Sequence, residues 1–530
     1  MKRFGAMLDM SRNAVMKPEK VKEYVKILKD FGYNMVMLYT EDTYEVEGEP
    51  YFGYLRGRYS IQELKDIVSY CKELGMEIIP CIQTLAHLAP IFKWNAYKGI
   101  HDTDDIMLVG DERTYELIEN MFKTLRLIFD CELIHVGMDE AHMLGLGKYL
   151  DKHGFEKRFD ILYRHLERVK EIATKYGFKP IMWSDMFFRL ANHGQYYAKP
   201  EMVTDKVVNA CPEGIDLVYW DYYHDTVEHY VDMMAAHKKF KGETWFAGGA
   251  WCWKGFAPDN KASMKSMLPA MKVCADENVE NIIMTMWGDD GRECSPYAIL
   301  PSLYAIRRFY DGVTDMQIIK SEFAAKTGED FDAMCYLDEP DSVNSNGKFA
   351  YNVSKHMLYS DTFLGFLDTT VKEGGGKEYS EIAKNLHDFA KPSKYGYIFE
   401  SMAALCDVLE IKYELGVKTR KIYKSGDKSA LETVLDDYRE LVRRLDIFYK
   451  AFKGMWYKEN KPHGFDIQDQ RLGGLRGRII SCTQRIEDYL NGEIESIPEL
   501  EEELLDYLDG QNWQNFHLNS WISNVTVNYQ

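Results

Sequence analysis

An α/β architecture, a (β/α)8 TIM barrel over residues 1–312 followed by a mainly α-helical C-terminal domain over 313–530, is what this 530-residue sequence predicts. Three observations predict it. Up to about residue 312, eight short β-rich apolar runs alternate with amphipathic stretches, with no hairpin signal between consecutive runs. Beyond that point strand signals nearly vanish and long one-faced helical stripes replace them. The length also exceeds what one hydrophobic core usually sustains, so two domains are expected.

The apolar runs fall at 4–8, 34–39, 77–82, 133–137, 180–183, 216–220, 244–247 and 281–287. Such short continuous runs suit parallel strands buried on both faces. Between them lie helical patterns at 18–31, 61–74, 115–129, 159–176, 227–240 and 264–277. In the first, Pro18 suits the opening turn, and Val21, Tyr24, Val25 and Leu28 form one face. Residues 313–350 are mixed, with a polar loop at 338–348. After them Leu431, Val434, Tyr438, Leu441, Leu445, Phe448 and Phe452 step by three or four along a single helix face. Comparable stripes cover 395–413 and 472–490, and an aromatic tail holds Trp513, Phe516 and Trp521. The segment FDIQDQRLGGLRGR, 465–478, mixes turn glycines with three arginines; it reads as a solvated helix connection, a contributor to a homodimer interface or a segment that reaches the cleft.

Charge and composition exclude several function classes. A net charge of −19 disfavours nucleic acid and anionic membrane as partners, because phosphate recognition needs a basic surface. No window approaches the eighteen uninterrupted apolar residues of a membrane span, and MKRFGAMLDMSRN lacks the layout of a signal peptide. The ten cysteines are scattered without a C-x-x-C pair, which reads as reduced, mostly buried thiols of a cytoplasmic protein.

In a barrel, residues just past the carboxyl end of each strand converge on one face, so the chemistry is sought there. Those positions carry Asp9 and Arg12; Glu41 and Asp42; Gln83 and His87; Asp139, Glu140 and His142; Trp183 and Asp185; Trp220, Asp221 and Tyr222; Trp251 and Trp253; and Trp287, Asp289 and Glu293. Asp139 and Glu140 follow an apolar run and a glycine in IHVGMDEAHM, and read either as helix-capping acids or as a catalytic pair. Four strand ends bearing tryptophan beside carboxylates favour a sugar site, in which aromatic planes stack on a pyranose and acids bind its hydroxyls.

An ordinary retaining glycosidase places two carboxyl groups about 5 Å apart across the scissile bond. Side chains of consecutive residues do not easily straddle a sugar ring. Substrate assistance resolves this: the carbonyl oxygen of a 2-acetamido group attacks the anomeric carbon to give an oxazolinium ion. One acid then protonates the leaving oxygen while its neighbour orients the acetamido N–H. The mechanism requires no metal and no cofactor.

HVGMDEAH closely resembles the H-x-G-x-D-E signature of glycoside hydrolase family 20, the β-N-acetylhexosaminidases, and the tryptophans agree over residues 1–312. The resemblance implies that Glu140 is the general acid/base and Asp139 the acetamido-orienting residue. It implies that Trp183 (IMWSD) and Trp220 (VYWDY) wall the acetamido methyl, that Trp287 (TMWGD) floors the ring, and that Asp289 binds the O4 and O6 hydroxyls. His87 in IQTLAH matches the strand-three histidine and Asp42 in YTED the strand-two aspartate. The family's strand-one arginine falls at Phe4, leaving Arg12 as a candidate substitute. The acetamido-binding tyrosine is expected after strand seven, where Trp251 and Trp253 stand; Tyr222 is the replacement candidate and Trp251 a further pocket wall. No counterpart of the small α/β domain that precedes the barrel in many members is present, as in a divergent intracellular branch. The implied activity is exo-cleavage of terminal β-linked GlcNAc, GalNAc or both, on small oligosaccharides or glycoconjugate fragments. Alternatives are another substrate-assisted glycosidase, a catalytically silent sugar-binding barrel, and a zinc hydrolase using His135, Asp139 and His142.

Overall fold

The structure, a computed structural model, describes residues 2–343, 352–510 and 518–529; Trp513 and Phe516 of the aromatic tail lie outside these. The chain divides into two compact units. One comprises Met1–Ala250, Ala262–Trp287 and Ser302–Glu322; the other comprises Trp251–Lys261, Gly288–Pro301 and Phe323–Gln530.

The first unit is a closed barrel of eight strands: β1 (Arg3–Asp9), β2 (Met35–Tyr39), β3 (Glu77–Cys81), β4 (Leu133–His135), β5 (Lys179–Trp183), β6 (Asp216–Trp220), β7 (Thr244–Gly249) and β8 (Asn281–Met286). Every neighbouring pair is parallel, and β1 closes the ring against β8 and β2. All eight predicted runs form strands. β2 and β8 are buried along their whole length, which is why they read as unbroken apolar runs rather than alternating ones. Packing is tight enough to demand glycine at one point: a Cβ on Gly5 would lie 2.2 Å from Met35 Cε and 2.9 Å from its carbonyl oxygen.

The predicted helices are present as α1 (Pro18–Asp30), α2 (Ile61–Glu73), α3 (Glu112–Arg126), α4 (Arg158–Lys175), α5 (Val227–His237) and α6 (Asn260–Asp276), with α7 (Leu300–Tyr310) after β8. Pro18 stands in the first turn of α1, and Val21, Tyr24, Val25 and Leu28 are its buried face. A capping box starts α2, where Ser60 Oγ accepts from Glu63 N–H and the Glu63 carboxylate accepts from Ser60 N–H. A small antiparallel pair, His101–Thr103 with Ile106–Met107, escaped the sequence reading because two- and three-residue strands carry no usable period.

Among the described residues, the four longest helices of the second unit are α8 (Gly375–Ala390), α9 (Gly396–Ser425), α10 (Lys428–Glu459) and α11 (Phe465–Asn491). The α9–α10 turn is only two residues long. Gly426 takes the left-handed conformation that ends α9 (φ +73°), and Asp427 then caps α10 by accepting from Ala430 N–H. The predicted stripe from Leu431 to Phe452 is the buried face of α10. Segment 465–478 is continuous helix, which extends the stripe expected over 472–490 towards its N-terminus: Gly473, Gly474 and Gly477 lie inside α11, where an added Cβ would meet nothing within 4 Å.

All ten cysteines are free thiols, eight of them buried. Among the described residues no helix is long and apolar enough to cross a membrane.

Candidate active site

The site begins where β4 breaks. β4 stops at His135, two residues short of the predicted end, and the chain turns out through Gly137 (φ +72°), Met138 (φ +69°) and Glu140 (φ +52°). Glycine is obligatory at 137, since a Cβ there would sit 2.1 Å from Gln83 Oε1 and 2.8 Å from the Ile82 carbonyl oxygen. For Met138 and Glu140 the left-handed backbone costs about 1–3 kcal/mol each, so neighbouring contacts must hold it.

Two buried side chains do so. Gln83, just past β3, accepts from Met138 N–H at 3.1 Å and donates through Nε2 to Asp139 Oδ1 (2.7 Å) and to the Tyr39 hydroxyl (2.9 Å). Asp185, just past β5, accepts from Glu140 N–H at 3.1 Å. Its other oxygen, Oδ1, is buried without a hydrogen-bond partner among the described residues. Burial, then the charge of Asp139, pushes the Asp185 carboxyl up to about 7.

Asp139 and Glu140 are consecutive but not equivalent. The Asp139 side chain is 12% exposed and that of Glu140 44%. His87 comes to both from the loop after β3, its Nε2 lying 3.3 Å from Asp139 Oδ2 and 3.8 Å from Glu140 Oε2. That histidine is itself left-handed (φ +56°), with its N–H donated to Asp105 Oδ2 at 2.8 Å. Burial opposes charge on both partners, yet their mutual attraction prevails. It raises His87 to about 10 and, with help from the Gln83 amide, lowers Asp139 to about 2. Asp139 is therefore a fixed anion paired with an imidazolium.

The first unit also holds an aromatic array, joined to Asp139 through Gln83, which bonds both Asp139 and Tyr39. Trp287 lies edge to face with Tyr39 (4.9 Å between centroids) and 5.9 Å from Trp183, and its Nε1 donates to the Tyr222 hydroxyl at 3.0 Å. Tyr222 stacks on Trp220 at 5.4 Å, and Trp220 packs at 4.7 Å on Tyr196. The Arg12 guanidinium stands 4.9 Å over Trp287 and 4.8 Å over Tyr39, and pairs with Asp9 (3.0 Å) and Glu41 (3.5 Å).

Of the predicted residues, the first unit thus gathers His87, Asp139 and Glu140 in one cluster and links Trp183, Trp220, Tyr222 and Trp287 in one aromatic array. Asp42 is directed elsewhere, its Oδ1 held by Arg56 Nη2 at 3.1 Å, while neighbouring Glu41 accepts from the Tyr39 hydroxyl at 3.0 Å. Trp251 and Asp289 belong to the second unit, where Trp251 stacks on Trp253 at 4.8 Å and Asp289 opens a short turn, Asp289–Gly291. His135 points into the barrel interior. It accepts from Gly137 N–H through Nδ1, packs 4.4 Å from Trp183, and is lowered to about 3 by burial. Among the described residues His135, Asp139 and His142 do not form a metal-ligand group.

Tyr39 and Tyr196 were not singled out by the sequence reading. Tyr39 ends an apolar run, where a tyrosine is indistinguishable from core, and Tyr196 lies in a loop after the polar residues 192–195, with no pattern to mark it. Gln83 did carry a signal, an amide directly after a buried strand.

Residues 3–208 match the model described as glycosyl hydrolase family 20, catalytic domain, and residues 329–518 match the glycoside hydrolase 20C C-terminal domain. Hexosaminidase D of Bos taurus is 23% identical over 292 residues, covering 51% of this chain and 81% of that protein. Hexosaminidase D of Homo sapiens is 22% identical over 235 residues, covering 41% of this chain and 44% of its own length, so this chain spans less than half of the human protein. Among solved structures, the Streptomyces plicatus N-acetyl-β-hexosaminidase in complex with thio-NAglucal is 16% identical, with a TM-score of 0.46 and coverage of 63% and 68%.

Proposed function

The chain belongs to glycoside hydrolase family 20, and from that premise we propose that it is an exo-acting β-N-acetylhexosaminidase with a retaining, substrate-assisted mechanism. The observation that carries this reading is the unequal environment of two adjacent carboxylates. Asp139 is buried, ionised and clamped by Gln83 and His87, whereas the Glu140 side chain is nearly half exposed. One group is built to hold a fixed charge and the other to exchange a proton, a division that environment alone can impose on a pair of acids.

In the proposed first step Glu140 protonates the glycosidic oxygen as the substrate's acetamido carbonyl oxygen attacks the anomeric carbon. Asp139 accepts the acetamido N–H and stabilises the positive charge that develops there. In the second step Glu140 removes a proton from water, which opens the oxazolinium ion with net retention. Trp183 and Trp220 wall the acetamido methyl and Trp287 lies under the ring. Tyr222, positioned by the Trp287 indole, is the proposed donor to the acetamido carbonyl. Arg12, fixed over Trp287 between Asp9 and Glu41, is the proposed partner of the ring hydroxyls in place of the family arginine. Asp289, Trp251 and Asp42 remain proposed sugar ligands on the resemblance alone. The substrates are terminal β-linked GlcNAc or GalNAc on small oligosaccharides or glycoconjugates; a cytoplasmic location and a homodimer complete the proposal, the latter checked by light scattering.

The test compares p-nitrophenol release from the β-N-acetylglucosaminide, the β-N-acetylgalactosaminide and the 2-hydroxy β-glucoside. Hydrolysis confined to the acetamido sugars is expected, and their ratio gives the O4 preference. Glu140→Gln should lower kcat by about 10²–10⁴-fold on poor leaving groups. Equal turnover of the glucoside would refute acetamido participation.

A further inference from the structure

Past β6 the chain carries a second cluster of ligating side chains that the proposed reaction does not use. Asp221 is fully buried, and two imidazoles converge on it: His224 Nδ1 lies 2.9 Å and His229 Nε2 2.8 Å from the same oxygen, Oδ2. The two rings are parallel, 3.5 Å apart and inclined by 8°. Stacked in this way, the pair turns two nitrogens towards one carboxylate oxygen from one side. Among the described residues this is the group of histidine, cysteine and acidic ligand atoms that come within 4.8 Å of one another.

The surroundings are those of a held ligand set. Asp221 is fixed by the Tyr219 hydroxyl at 2.8 Å and by the N–H groups of Tyr223 (3.0 Å) and His224 (3.3 Å). Outer contacts of this kind orient ligating groups and sustain metal affinity. The histidine side chains are 34% and 19% exposed, which leaves a path for an ion to enter. Tyr197 stands edge-on to both rings, at 4.5 and 5.2 Å, and its hydroxyl is buried without a hydrogen-bond partner among the described residues.

We propose that Asp221, His224 and His229 bind one divalent transition-metal ion, zinc or a similar ion, at a site separate in its residues from Asp139 and Glu140. Two imidazoles and a carboxylate are a common three-ligand set for such ions and leave a fourth position for water. Ligand atoms around a tetrahedral zinc stand about 3.3 Å apart, so the present 2.8–2.9 Å separations need only a small outward rotation of the two histidines. The bound ion takes the place of the direct contacts between the imidazoles and Asp221, and ties the start of α5 (His229) to the loop that follows Tyr222. Its role is to pin the segment that presents Trp220 and Tyr222, not to take part in bond cleavage.

The test uses the full chain, stripped with EDTA and desalted, then titrated with cobalt(II) and with zinc against a chromophoric chelator. About one ion per chain is expected, with visible cobalt bands of tetrahedral intensity and a rise in Tm on zinc loading. His224→Ala and His229→Gln should each weaken binding at least about 100-fold and abolish the Tm rise, while His463→Ala, an exposed histidine of the second unit, should leave both unchanged. Far-ultraviolet circular dichroism of the unloaded variants shows that they are folded. Absence of cobalt bands in the wild type, or equal binding by folded His224→Ala and His229→Gln, would overturn the proposal.

Discussion

Two loops of this protein solve the same backbone problem by different chemistry. Past β4 the chain runs through left-handed residues at 137, 138 and 140; past β8 it does so at 290, 291 and 292. The first loop is held by amide and carboxylate side chains acting on backbone N–H groups, with one ion pair at its tip. The second is held by charge within the helical unit. Lys355, fully buried, lies 2.8 Å from both Asp290 and Glu293, and Arg471 lies 3.0 and 3.1 Å from the same two carboxylates. Gln468 adds a bond to the Gly291 carbonyl. The difference teaches that the partly exposed acid of the first loop, Glu140, is fixed from behind, by its backbone, whereas in the second loop the side chains of Asp290 and Glu293 are themselves locked.

The comparison can be broken most forcefully in the second loop. Lys355→Met leaves Asp290 and Glu293 sharing one cation in a buried setting, and should cost about 3–5 kcal/mol, read as a shift in the chemical denaturation midpoint. A loss below 1 kcal/mol would mean that the network is solvated and the contrast false.

Gly137→Ala attacks the first loop. Steric overlap with Gln83 and the Ile82 carbonyl, together with the left-handed backbone, should cost about 2–3 kcal/mol and displace Asp139 and Glu140. Activity is therefore expected to fall by more than the loss of folded protein explains, as checked by kcat per folded molecule. Unchanged kcat would show that the loop tolerates displacement.

A pH series sharpens the electrostatic half. His87 is raised to about 10 from 6.5, so its stabilisation is whole below pH 6.5 and is lost as pH climbs towards 10. Asp139 is lowered to about 2 from 3.8, so its share is whole above 3.8 and is lost as pH falls towards 2. The difference in unfolding free energy between wild type and His87→Gln should peak between roughly pH 4 and 6.5 and shrink on either side. A flat difference would mean that the pair is not ionic.

The smallest effect is expected at a glycine inside a helix. Gly473→Ala within α11 meets open space and should add about 0.5–1 kcal/mol, seen as a higher Tm.

These variants also show what was legible in the sequence. The barrel strands could be read because doubly buried strands are continuous apolar runs, and the Asp139–Glu140 pair because it follows one of them directly. What could not be read depends on side chains meeting across strands. Asp42 and Glu41 are neighbours in sequence, and only the position of Arg56 sends one away from Tyr39 and leaves the other beside it. The clamp by Gln83 bridges three strand ends that are far apart in the chain. The helical stripe from Leu472 could be read, whereas the glycines of 465–478 gave a turn signal as well: glycine is a poor helix former but not a forbidden one, and the apolar residues Phe465, Leu472, Leu475 and Ile479 supply the buried face that keeps α11 continuous.

The buried thiols have a practical consequence. Cys81 and Cys274 lie in the first unit and Cys406 and Cys482 in the second; all four are buried and all are pushed above the ordinary thiol range, chiefly by that burial. A thiol at such a position reacts only when its surroundings open. Mass-resolved alkylation over time would therefore act as a pair of internal clocks, one for each unit, and show whether the barrel and the helices breathe together or separately.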